Sequence, residues 1–191
     1  IINYMTNHLK NLNLKNLNKE ALSKALHKIP ESFRQGIFFG LNSGVITTTG
    51  LLAGIAQTTT NPAFIVISII SLALSDSVSE AFGLFLSKKA EKTKDNGSEP
   101  TEASAALFFV KAIVVLSFLL PLLFTKSLKI FKTLLWPIGW SLFLLFILDF
   151  FLASIRKENI NDYFLPHIAI VLFVVITTKI FGILINKVQK S

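Results

Sequence analysis

Five apolar runs of roughly 20 residues each, separated by short polar connections, constrain this chain more than anything else in it. A run of that length covers a hydrocarbon core about 30 Å thick when it is helical. Five of them take up about 100 of the 191 residues, which leaves room for connections but not for a second soluble domain. Only 16% of the residues are charged, against about 25% in an average soluble domain. The 18 phenylalanines rule out a disordered chain. With no cysteine there is no disulfide framework, no thiolate metal site and no cysteine nucleophile. The predicted fold class is therefore all-α integral membrane, with five transmembrane helices per subunit preceded by an amphipathic N-terminal helix.

The pattern divides the chain into a cytoplasmic amphipathic segment, 1–34, and a five-helix transmembrane domain, 35–187. Leu9, Leu12, Leu14, Leu17, Ala21, Leu22, Ala25 and Ile29 give the first segment the spacing of a helix lying at the membrane surface or against the bundle. No long apolar core follows its lysines, so it does not read as a signal peptide. Because the chain opens on Ile1, its translation start is expected upstream or at a non-standard codon. The spans are predicted at about 36–56, 63–86, 103–124, 130–155 and 164–185.

Lysine and arginine set the orientation. Segments 1–34, 87–102 and 154–162 hold six, four and two of them, twelve in all, while the opposite connections and the C-terminal end hold five. The positive-inside rule then places the N-terminus in the cytoplasm and the C-terminus outside. Much of the net charge of +8 is topological signal, and no aromatic–basic module supports nucleic-acid binding. Trp136, Trp140 and Tyr163 lie near span ends and read as interfacial anchors.

Span one places small and hydroxyl-bearing residues deep in the membrane. Gly40, Ser43 and Gly44, Thr47 and Leu51 share one helical face, where small residues let backbones approach and hydroxyls can bond across the interface. Span two carries Ser75, Asp76, Ser79, Glu80 and Gly83, with Asp76 and Glu80 on one face at i, i+4. A carboxylate in hydrocarbon costs roughly 2.5–3.5 kcal/mol, so such residues are functional by default. Carboxylates, hydroxyls and carbonyls are also the ligands that hard and borderline divalent cations accept.

The plainer account is charge pairing within the bundle. Lys111 in span three and Lys179 in span five are possible partners, as Asp76–Lys111 or Glu80–Lys179. Either lysine could instead snorkel, Lys111 to the inner surface and Lys179 to the outer one. Asp149 lies near the inner end of span four and could be interfacial beside Arg156, while His167 after Pro166 reads as an interfacial hydrogen-bonding residue. Pro121 and Pro137 can kink or end helices without further meaning. No phosphate loop, dinucleotide fingerprint, HExxH pair or GxSxG elbow is present, so the chain is not expected to be an enzyme.

Phe39-Gly40-Leu41-Asn42-Ser43-Gly44-Val45, followed by Gly50-Leu51-Leu52-Ala53-Gly54, resembles the first span of the vacuolar iron transporter family, which typically reads G-x-x-D-G-[LV] and then A-G. Leu74-Ser75-Asp76-Ser77-Val78-Ser79-Glu80-Ala81-Phe82-Gly83 is similar to that family's A-D-G-x-S-M-A-x-G. Ser87-Lys88-Lys89-Ala90-Glu91 is similar to its S-x-K-S-E ending. Leu119-Leu120-Pro121-Leu122 and Gly182 match features of its third and fifth spans.

The resemblance implies a homodimer of five-helix subunits with a metal path between them, moving Fe²⁺ or Mn²⁺ out of the cytoplasm in exchange for protons. Asp76 and Glu80 would supply oxygen ligands, Asn42, Ser43 and Thr47 would line the facing helix, and Glu91 would collect metal at the cytoplasmic entrance. No resident cofactor is implied; the cation is cargo, and the expected partners are the lipid bilayer, the metal ion and a second copy of the chain. Ser43 stands where the family usually has aspartate, Glu80 where it usually has methionine, and Lys179 where it usually has a neutral residue. The short stretch Lys88–Glu102 replaces the carboxylate-rich cytoplasmic insertion of many members, as in the nodulin-21-like branch. A bacterial-type inner membrane is the expected location. The departures leave two alternatives open, a transport-inactive membrane interaction protein of the same fold and a transporter of another small solute.

Overall fold

The computed structural model describes residues 28–58, 61–90, 99–120 and 135–188. Among them lie five helices and no strand: α1 (Glu31–Thr58), α2 (Pro62–Ala90), α3 (Pro100–Ser117), α4 (Leu135–Arg156) and α5 (Asn161–Val188). All five are long and apolar enough to cross a membrane, as the apolar runs predicted. The amphipathic helix predicted within 1–34 falls almost wholly on residues 1–27, outside the described residues, as do Glu91 and Pro121.

The helices outrun the apolar stretches that announced them. α1 begins at Glu31 rather than Gly36, so Glu31 to Arg34, assigned from sequence to the N-terminal segment, form the first turn of span one. α2 extends past Leu86 to Ala90, and α5 starts at Asn161 and ends at Val188. Polar residues carry each helix beyond its hydrophobic part, because backbone hydrogen bonding does not stop where apolarity does. α3 ends at Ser117 with Phe118 as its C-cap, while residues 121–134, which hold the predicted end of span three and start of span four, lie outside the described residues. Pro100 occupies the first turn of α3 and Pro137 that of α4, where a missing N–H costs little. α4 stops where Lys157 turns to φ 58° and the Glu158 N–H bonds back to the Ala153 carbonyl at 3.1 Å, a Schellman-type ending.

α1 is the central helix, packed against α3, α5 and α4. Pairings along the helices show that direction alternates up the bundle. Gly36, Gly40 and Gly44 of α1 meet Ala103, Leu107 and Lys111 of α3 in rising order, so these two helices run parallel. Gly50 and Gly182 place α5 parallel to α1 through Val174 and Gln57. α2 runs against α1, and so against α3, because Gln35 and Ser43 in rising order meet Lys88 and Glu80 in falling order.

The glycine row fixes how closely α1 and α3 approach. A Cβ added at Gly36 would lie 2.1 Å from the Ala103 carbonyl oxygen, and one at Gly40 2.7 Å from that of Leu107. The small-residue face read from sequence thus packs within the subunit. Its threonines do less across the interface than predicted. Thr47, Thr48 and Thr49 donate one turn back to the carbonyls of Ser43, Gly44 and Val45, at 2.8, 2.6 and 2.7 Å. Only Thr49 among these three also meets another helix, at the Ser141 hydroxyl.

Val45, Leu52, Ile69, Val115, Leu145 and Val171 are buried where the helices converge. Outward, Phe64, Leu74, Phe82, Phe109 and Phe173 are exposed, the inside-out apolarity suited to lipid.

Candidate intramembrane charge site

Three helices bring opposite charges together at half-depth. The Lys111 Nζ on α3 lies 2.6 Å from Asp76 Oδ2 and 2.6 Å from Glu80 Oε1, both on α2. From α1, the Ser43 hydroxyl donates to the other oxygen of Glu80 at 2.7 Å. At a rise of about 1.5 Å per residue, Ser43 sits roughly 18 Å from the start of its helix, Lys111 roughly 16 Å and Glu80 roughly 15 Å from the matching ends of theirs. All three helix ends belong to the same side of the bundle, so the cluster lies near its mid-plane.

Local sequence explains the meeting. Asp76 and Glu80 are one turn apart and project together from α2. Gly44 lacks the side chain that would crowd Lys111, since a Cβ there would stand 3.3 Å from the lysine Cγ. The lysine stem therefore crosses the tight α1–α3 seam and delivers its ammonium to α2. Lys111 is 0% exposed, whereas the Asp76 and Glu80 side chains are 28% and 25% exposed. Its Nζ has no acceptor besides the two carboxylates among the described residues. One ammonium against two carboxylates leaves the cluster one negative charge in excess.

A second polar contact joins α4 and α5. His167 Nδ1 lies 2.9 Å from both oxygens of Asp149. Asp149 is fully buried and the histidine side chain is 16% exposed. The expectation of an interfacial Asp149 beside Arg156 is thereby corrected: the carboxylate turns inward and finds its donor across the helix hairpin. His167 bonds as a histidine was expected to. Trp136 and Trp140 stack on each other, and the Trp140 indole donates to Ser117 at 2.8 Å.

Of the residues singled out from sequence, Ser43, Asp76, Glu80 and Lys111 come together. Asn42 adjoins Ser43 on α1, with its Oδ1 buried and no hydrogen-bond partner among the described residues. Thr47 is one turn further along, its hydroxyl spent on its own helix. Lys179 is exposed on α5 and does not pair with Glu80. Snorkelling of Lys111 is also excluded, because the ammonium points across the bundle to α2. Among the described residues no group of three or more His, Asp or Glu converges on a point that could hold a metal, and the cluster they form offers two carboxylates and the Ser43 hydroxyl.

Five helices long and apolar enough to cross a membrane, three of them joined by charged side chains, define a multi-pass integral membrane protein. Residues 33–105, a stretch that spans nearly all of α1, α2 and the start of α3, match the family model of the VIT family. No curated protein and no solved structure matches the chain.

Proposed function

We propose that this protein exports a divalent cation, Fe²⁺ or Mn²⁺, from the cytoplasm in exchange for protons, acting as a homodimer. One observation carries the reading: Asp76 and Glu80, in the stretch that matches the VIT family, stand together at mid-depth with the Ser43 hydroxyl beside them. Oxygen donors of this kind suit a hard or borderline divalent ion. Two carboxylates are too few to enclose one, and a two-fold axis beside α2 would double them. Along α2, Ser71, Ser75, Ser79 and Gly83 form an exposed row of small residues at four-residue spacing, the pattern that lets membrane helices pack closely. In this reading Asn42 and Thr47 line the path, and Glu91 gathers metal at the cytoplasmic entrance. The N-terminus is cytoplasmic, the C-terminus lies outside, and the protein resides in a bacterial-type inner membrane.

A specific observation also favours a second reading. The Lys111 ammonium already occupies both carboxylates, as it would in a transport-inactive protein that keeps the fold for partner binding. Proteoliposomes separate the two. Mn²⁺- and Fe²⁺-driven uptake with a matching change in internal pH, abolished in Asp76→Asn and Glu80→Gln, supports the transporter. Uptake equal to that of empty vesicles overturns it.

A further inference from the structure

The geometry points to Lys111 as a tethered cation that sets the charge selectivity of the site: its ammonium holds Asp76 and Glu80 until a divalent ion displaces it, and monovalent ions cannot. The inference rests on the proposed transport function and concerns a residue outside the matched stretch 33–105.

Three observations carry it. The ammonium touches one oxygen of each carboxylate at 2.6 Å, the position a shared cation would take between them. The carboxylates are each about a quarter exposed while the lysine is fully enclosed behind them, so an ion reaches the acids from the side opposite the ammonium. The stem passes the bare backbone of Gly44, with no side chain on that residue to pin it. Lysine is also a flexible chain ending in a point charge, unlike the fixed fork of arginine.

Charge arithmetic then decides which ions enter. Two carboxylates and the ammonium sum to one negative charge. Once the ammonium has swung off the carboxylates on its flexible stem, a monovalent ion in its place only restores the same sum at the pair and gains nothing, and it competes against a cation held at the high effective concentration of a covalent tether. A divalent ion brings the pair to neutrality. In a low-dielectric interior that extra charge is worth far more than in water. The lysine therefore weakens divalent binding, which favours release on the far side, and excludes Na⁺ and K⁺.

Mn²⁺ binding to the purified full-length protein tests this. Lys111→Gln is expected to bind Mn²⁺ at least about tenfold more tightly than the wild type, because the competing charge is gone. Lys111→Arg, which keeps the charge, is expected to stay near the wild-type value. At constant ionic strength, replacing N-methylglucamine by Na⁺ should weaken Mn²⁺ binding to Lys111→Gln and leave the wild type unchanged. Equal or weaker binding by Lys111→Gln, or Na⁺ competition in the wild type, overturns the proposal; the wild-type measurement stands even if no neutral variant folds. If Asp76→Asn and Glu80→Gln leave Mn²⁺ binding unaltered, the transport reading falls and the tether with it. If they abolish binding while Lys111→Gln has wild-type affinity, the tether alone falls.

Discussion

Asp149 of α4 receives His167 of α5 on both of its carboxylate oxygens, each 2.9 Å from Nδ1, and the carboxylate is wholly shielded from solvent. The contact spans the α4–α5 hairpin and fastens two helices that share little other packing with each other. His167→Ala leaves a buried carboxylate without its donor, and a loss on the order of 3 kcal/mol is expected. Asp149→Asn keeps the shape and removes the charge, so a smaller loss is expected. Asp149→Leu combined with His167→Leu should be less damaging than His167→Ala alone, because neither polar group is stranded. Thermal melts in detergent measure all three; a melt of His167→Ala equal to wild type would show that the pair contributes nothing to stability.

Gly36 and Gly40 hold α1 against α3 where any side chain would strike backbone, whereas a Cβ at Gly54, Gly83 or Gly139 meets nothing within 4 Å. Gly40→Ala must push the helices apart against the Leu107 carbonyl, at an expected cost of about 1–3 kcal/mol. Gly139→Ala should be neutral or slightly stabilising, since alanine is the better helix former by about 1 kcal/mol. The Gly40→Ala melt should fall below wild type and the Gly139→Ala melt should not. Equal melts would mean that the α1–α3 seam yields easily.

Span number and helix class were legible because length and apolarity report directly on what a bilayer accepts. Helix ends were not, since polar residues such as Glu31 and Asn161 continue the backbone ladder outside the apolar run. The pairing of Asp76 with Lys111 was readable as one of several options. Choosing it needed the clearance at Gly44, a property of two helices together. Asp149 and His167 could have been matched from sequence: they sit at similar depth on either side of the short turn at Lys157, where hairpin partners must meet. That depth comparison was the missing signal.

Ser43 makes a neutral hydrogen bond to Glu80 that joins α1 to α2 at the cluster, at 2.7 Å to the oxygen not facing Lys111. Ser43→Ala removes one donor from a charged acceptor, a loss of about 1.5–3 kcal/mol in the interaction. In the transport assay the expected result is a rise of about tenfold or more in the Mn²⁺ KM, if the serine also orients Glu80 toward the ion. Ser43→Thr keeps the hydroxyl and should stay closer to wild type. A Ser43→Ala protein with unaltered KM would place the serine outside the ion path.

The exposed row on α2 gives the sharpest test of self-association. Ser79 faces away from the subunit, and at Gly83, one turn along, there is open space on the same side. Ser79→Trp should therefore leave the subunit's own melt within about 0.5 kcal/mol of wild type, as substitutions away from packed features do. Between two copies packed along this row the indole has no room, because small residues are what allow helix backbones to approach. The expected outcome is loss of the dimer by in-membrane cross-linking, together with loss of Mn²⁺ transport, since each subunit would then present only its own two carboxylates. A Ser79→Trp protein that still cross-links as a dimer would assign this row to lipid and move the two-fold axis to another face.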